Sequence, residues 1–96
     1  MKYLIIDAEI NGTGIRDKYD SGYINLQDLP ISNELIEKIS IWKSQYEQAF
    51  YNGYENSDVD LLDKKGLEIA RHLKSQMNDD SKIEYYSDAN MISVII

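Results

Sequence analysis

Ninety-six residues and 11.1 kDa leave room for one domain around one modest core, because a chain of this size buries only about 60–65% of its unfolded surface. Hydrophobic residues at 43% and charged residues at 28% exclude a disordered chain. Seventeen Asp and Glu against ten Lys and Arg give a net charge of −7, which argues against non-specific binding to nucleic acid or anionic membranes and favours a basic protein partner.

Lys2 to Ile10 reads as a strand: Tyr3, Leu4, Ile5 and Ile6 are aromatic or aliphatic, and Asp7, Ala8, Glu9 and Ile10 begin to alternate. Asn11-Gly12-Thr13-Gly14 breaks it. The segment on to Asp28 holds no sustained period, and a short strand is expected there at Tyr23 to Leu26. Pro30 disfavours helix at Leu29, Ser32 is placed to cap a helix, and Glu34 sits where the helix dipole favours an acid. The first helix is expected from Asn33 to about Asn52, with Leu35, Ile39, Trp42, Tyr46, Ala49 and Phe50 on one stripe and Gly53 ending it. A second helix is expected from about Asp58 to Met77, capped by Ser57, with Val59, Leu62, Gly66, Ile69, Ala70, Leu73 and Met77 inward. After a turn at Asn78-Asp79-Asp80-Ser81, Lys82 to Ser87 reads as a strand, Asp88-Ala89-Asn90 as a tight connection and Met91 to Ile96 as a final strand. The order β-(β)-α-α-β-β predicts an α+β fold over residues 1–96, two antiparallel helices packed on a small, mainly antiparallel sheet.

Cysteine is absent, so disulfides, thiolate metal sites and a cysteine nucleophile are excluded, and a cytoplasmic location is expected. The N-terminal segment lacks the apolar stretch of a secretory leader, and no run approaches the ~20 apolar residues of a membrane span. Asp7-Ala8-Glu9 at a strand end resembles the first motif of the DEDD-type exonucleases, but the likeness covers about ten residues and the later acidic motifs are missing. Asp58-x-Asp60-x-x-Asp63 departs from the spacing of a calcium loop, and a helix start explains those acids. His72 stands alone, off the apolar stripe, and Gly12-Thr13-Gly14 lacks the lysine of a phosphate-binding loop. The expectation is a protein without catalysis, cofactor or metal.

One constellation remains. Residues 53–63 hold Glu55, Asp58, Asp60 and Asp63 and no base, whereas Lys64, Lys65, Arg71 and Lys74 make the rest of the second helix basic. Tyr51 and Tyr54 border the acidic run, Glu47 shares a helix face with Tyr51, and Tyr85, Tyr86 and Asp88 repeat the mixture later. Eight tyrosines are too many for so small a core. Tyrosine gives large rigid contact area with a polar tip, and an acidic field around such anchors suits capture of a basic surface. The expected contact residues are therefore Glu47, Tyr51, Tyr54, Glu55, Asp58, Asp60 and Asp63, with Tyr85 and Asp88 as a second patch.

The segment Leu29-Pro30-Ile31-Ser32-Asn33-Glu34-Leu35, with Ile39, Trp42, Tyr46 and Glu47, resembles small bacterial immunity proteins of polymorphic toxin and contact-dependent growth inhibition systems. The likeness continues through Gly66-Leu67, Ile69-Ala70, Leu73-Lys74 and Ile83-Glu84-Tyr85-Tyr86. It implies an immunity protein that neutralises a cognate toxin domain, a nuclease being the type whose basic groove an acidic plug would fill. The motif carries no catalytic residue. A second reading is a small acidic adaptor with a basic protein partner unrelated to toxins.

Overall fold

In a computed structural model, which describes residues 2–20, 22–55, 58–77 and 80–96, four strands and two long helices form the framework. Strand β1 spans Tyr3–Ile6, β2 Ile15–Asp17, β3 Lys82–Ser87 and β4 Ile92–Ile95; helix α1 spans Asn33–Tyr51 and α2 Val59–Met77. The sheet runs β2-β1-β3-β4, with β1 and β3 parallel and both outer pairs antiparallel. The expected α+β architecture of two helices on a mostly antiparallel sheet is what forms.

The pleat sorts the side chains. Leu4 and Ile6 of β1 stand in register with Ile83 and Tyr85 of β3, and all four join the core beneath the helices. Leu35, Ile39, Trp42, Tyr46 and Ala49 of α1 and Leu62, Ile69, Ala70, Leu73 and Met77 of α2 close it from above. Trp42 ties the helices together, its Nε1–H donating to the Leu62 carbonyl at 2.9 Å. Ser32 caps α1 as expected, its hydroxyl accepting from the Leu35 N–H at 3.1 Å.

Several local expectations change. The second strand lies at Ile15–Asp17, not at Tyr23 to Leu26: Tyr23 makes one isolated bridge to Arg16, and Leu26–Asp28 is a 3₁₀ turn with Asn25 as its cap. β1 ends at Ile6, and the Asp7 N–H adds one more bond in the same register, to the Gly14 carbonyl at 3.1 Å. Asp58 caps α2, accepting from the Leu61 N–H at 3.0 Å; Ser57, expected in that role, and Asn78 and Asp79 of the expected turn lie outside the described residues. Met91 precedes the last strand in left-handed conformation (φ 57°), its N–H closing the turn onto the Ser87 carbonyl. Phe50, expected in the core, is 51% exposed, for a reason that belongs to the site. Among the described residues no helix is long and apolar enough to cross a membrane.

Candidate functional site

Three chain segments meet at one end of the sheet: the end of α1, the β3–β4 turn and the residues just after β1. Helix α1 ends in a Schellman motif. Gly53 adopts φ 64° and its N–H donates to the Phe50 carbonyl, while the Tyr54 N–H reaches back to Ala49 at 2.7 Å. This reversal holds Tyr54 itself at φ 62°, a left-handed conformation that costs a tyrosine on the order of 1 kcal/mol. Its ring returns against Tyr46 and Phe50, with centroids 6.3 and 6.2 Å away. Phe50 in turn meets Tyr51 at 5.8 Å. A ladder of rings thus climbs from buried Tyr46 to Tyr51, which is 71% exposed. Phe50 is exposed because it stands at the lip of the cleft rather than over the sheet.

The β3–β4 turn is anchored from above by Asp63. Its Oδ1 accepts from the Tyr46 hydroxyl at 2.9 Å and the Tyr85 hydroxyl at 2.6 Å; its Oδ2 accepts from Ser87 Oγ at 2.8 Å and Asn90 Nδ2 at 3.0 Å. The Ala89 N–H donates to the Tyr46 hydroxyl at 3.1 Å. Burial, followed by the Asp63 carboxylate, pushes the Tyr85 phenol up. Burial likewise raises Tyr46 to about 12.

The segment after β1 supplies the floor. Asp7 is buried, its Oδ2 accepting from Arg16 Nε at 2.7 Å. The Tyr23 hydroxyl lies 2.7 Å from Asp7 Oδ1 and 2.8 Å from Glu9 Oε2, joining the two carboxylates. Asp88 bridges this floor to the turn by accepting from the Ala8 N–H at 2.8 Å. Burial, with the charges of Asp7 and then Glu9, pushes the Asp88 carboxyl up to about 6, against the stabilising Ala8 N–H and Arg16. Tyr54 is raised as well, by burial and by the charges of Asp88 and Asp63.

Together these segments line a cleft of about 540 Å³, with Asp7, Glu9 and Asp88 as its acids and Tyr46, Phe50, Tyr54 and Tyr86 as its aromatic walls. Among the described residues, Arg16 is the one cation lining it. The arrangement suits a cationic side chain: carboxylates to pair with the charge and ring faces to cover the stem. Among the described residues no group of three or more His, Cys, Asp or Glu is placed to hold a metal ion.

The sequence-predicted residues divide. Tyr54 and Asp88, assigned to separate patches, line the same cleft. Tyr51 joins it through the ring ladder, and Glu55, Asp58 and Asp60 are exposed in the loop and first turn beyond it. Asp63 and Tyr85 differ from the expectation of surface contacts. Tyr85 is 2% exposed beside Trp42, and the Asp63 oxygens are turned inward to four donors. Glu47 lies apart, paired with Lys43 over a groove on the other side of α1. Sequence reasoning missed Arg16, Tyr23 and Phe50. Asp7 and Glu9 stand out in the sequence only through their likeness to a nuclease motif, whereas in the fold Asp7 is held by Arg16 and Tyr23.

A family model described as Serratia CdiI immunity protein-like matches residues 3–88, a span that includes every segment of the cleft. No curated protein matches the chain.

Proposed function

Because the chain belongs to the Serratia CdiI immunity protein-like family, we propose that it binds and neutralises a cognate toxin domain at the acidic, tyrosine-lined cleft, without catalysis of its own. The observation that carries this reading is the meeting of Tyr54 and Asp88 in one cleft from distant parts of the chain. Phe50 and Tyr54 are the apolar anchors, with Tyr51 extending the ladder outward. Asp88 and Glu9 receive a lysine or arginine of the toxin. Glu55, Asp58 and Asp60 act at longer range, raising the association rate of a basic surface. Asp63 and Tyr85 hold the β3–β4 turn in place from within.

The toxin this surface fits best is a nuclease. A phosphate-binding groove is basic, and a plug bearing carboxylates and aromatic rings imitates the charge and stacking surface of nucleic acid. Growth protection tests the role: cells producing the toxin domain should survive with the wild-type chain. The rim is tested by association kinetics with Asp58→Asn and Asp60→Asn combined. A tenfold slower association at low salt that disappears at high salt supports the assignment. An unchanged rate with unchanged salt dependence overturns it.

A further inference from the structure

Away from the cleft, the sheet has two edges that are treated differently. The β2 edge is covered by the chain that comes after it: the Asp17 N–H donates to the Gly22 carbonyl at 3.1 Å, and the Ile24 N–H to the Ile15 carbonyl at 2.9 Å. Tyr23 adds the bridge to Arg16. The outer edge of β4 pairs with no described strand. The Ile96 N–H donates to the Ile83 carbonyl; by alternation along the antiparallel ladder, Ile92 and Val94 also direct their backbone groups to β3, and Ser93 and Ile95 direct theirs outward.

The side chains of β4 are exposed on both faces. Ile92 and Val94 pair with Ser87 and Tyr85 on the helix side, and Ile95 pairs with Glu84 on the opposite face. Yet Ile92 is 60% exposed, Val94 41% and Ile95 72%. A helix laid on one face would shield half of this set and leave the edge amides in water. One strand added alongside shields both faces and pairs the edge. Natural edge strands discourage such addition with lysine, proline or inward charge, whereas Ala89 to Ile96 contains no proline and no charged side chain.

We infer that β4 pairs antiparallel with β4 of a second copy of this chain, about a two-fold axis through Val94. Ser93 of each copy then faces Ile95 of the other, which matches the outward backbone groups on both sides of the axis. The second copy supplies what the edge requires, a strand that is uncharged and apolar on both faces. Its pairing brings no like side-chain charges into opposition along the strand. The acids nearest the edge are engaged, Glu84 with Tyr3 and Lys18 and Asp88 with the Ala8 N–H. Because the β2 edge is covered, a β4-to-β2 contact cannot extend the sheet, and assembly closes at two. The remaining repulsion between two chains of net charge −7 acts at long range, and salt screens it over about 8 Å at physiological strength. The dimer therefore tightens as salt rises, the opposite of capture of a basic partner at the cleft, and it stands independently of that function.

Sedimentation velocity from micromolar to millimolar chain, at low and high salt, tests this directly. The 11.1 kDa species should give way to one of twice that mass, sooner at high salt. Amide exchange of Ser93 and Ile95 should slow in step. Val94→Lys and, on the other face, Ile95→Lys replace exposed side chains; each should keep its helical circular dichroism and remain at 11.1 kDa at every concentration. A species of 11.1 kDa throughout for the wild type, growth beyond two copies, or protection of Ser93 and Ile95 only after toxin is added would each overturn the inference.

Discussion

The Tyr85 hydroxyl reaches Asp63 Oδ1 at 2.6 Å by lying across Gly66, where a Cβ would overlap the Tyr85 ring. A strand residue and a helix residue are thereby locked through a notch in α2, and the β3–β4 turn that forms one wall of the cleft is fixed to the helix layer. Gly66→Ala sets two effects against each other. Alanine favours helix by about 1 kcal/mol, while overpacking a buried ring costs about 1–3 kcal/mol. The ring is boxed in by Trp42 and by its own hydrogen bond. The expected outcome is a net loss of about 1 kcal/mol in urea unfolding; a stabilised variant would show that the ring moves aside freely.

Asp63 is a structural carboxylate. Asp63→Ala strands the buried Tyr85 hydroxyl, leaves the Tyr46 hydroxyl Ser87 Oγ at 3.2 Å as its remaining acceptor, and takes one partner each from Ser87 and Asn90. A loss of about 2–4 kcal/mol is expected, against about 1 kcal/mol for Tyr85→Phe, which removes one donor and leaves the acceptor its other partners. If Asp63→Ala behaved like an ordinary surface change, within about 0.5 kcal/mol, the network would not be holding the turn.

The helix stripes were legible because period 3.6 runs unbroken through nineteen residues of each helix. β2 was not legible, since Ile15-Arg16-Asp17 is too short to show alternation and exists through its pairing with Leu4, Ile5 and Ile6. The cleft was half legible. Acids and tyrosines marked both of its walls, but nothing local says that α1 and β3 end at the same place, or that parallel pairing of β1 with β3 brings Asp7 and Ala8 beside Asp88. The inward turn of Tyr85 had a signal: Ile83, Tyr85 and Ser87 share one face of the strand, opposite Lys82, Glu84 and Tyr86. So did that of Asp63, three residues before Gly66 and beside the apolar stripe of α2.

Asp88 makes stability depend on pH. Its carboxyl is raised from 3.8 to about 6, by burial first and then by Asp7 and Glu9. The folded chain therefore holds this proton more tightly than the unfolded chain. The associated stability is full below 3.8 and is lost as pH rises through about 6. Asp88→Asn keeps an oxygen for the Ala8 N–H and removes the charge. It should gain on the order of 1 kcal/mol at neutral pH, after solvent screening of a half-buried group, and nothing below about pH 4. Paired urea titrations across that range check the difference.

Docking of the toxin at this cleft, as proposed, would link binding to the protonation of the same group. A lysine or arginine seated in the cleft favours ionised Asp88, so affinity should fall as pH drops through about 6. Near that pH, binding should release a proton, read as a buffer-dependent heat. Asp88→Asn should remove the released proton and flatten the profile there.

The most direct test of the docking cleft is isothermal titration of the cognate toxin domain against wild type, Tyr54→Ala and Asp88→Asn at neutral pH. Loss of a central aromatic anchor should weaken binding by at least about 2 kcal/mol, roughly thirtyfold. Asp88→Asn should weaken it about tenfold while being the more stable fold, so that lost affinity cannot be blamed on lost structure. Wild-type affinity in both variants would contradict the assignment of this cleft as the toxin's docking site.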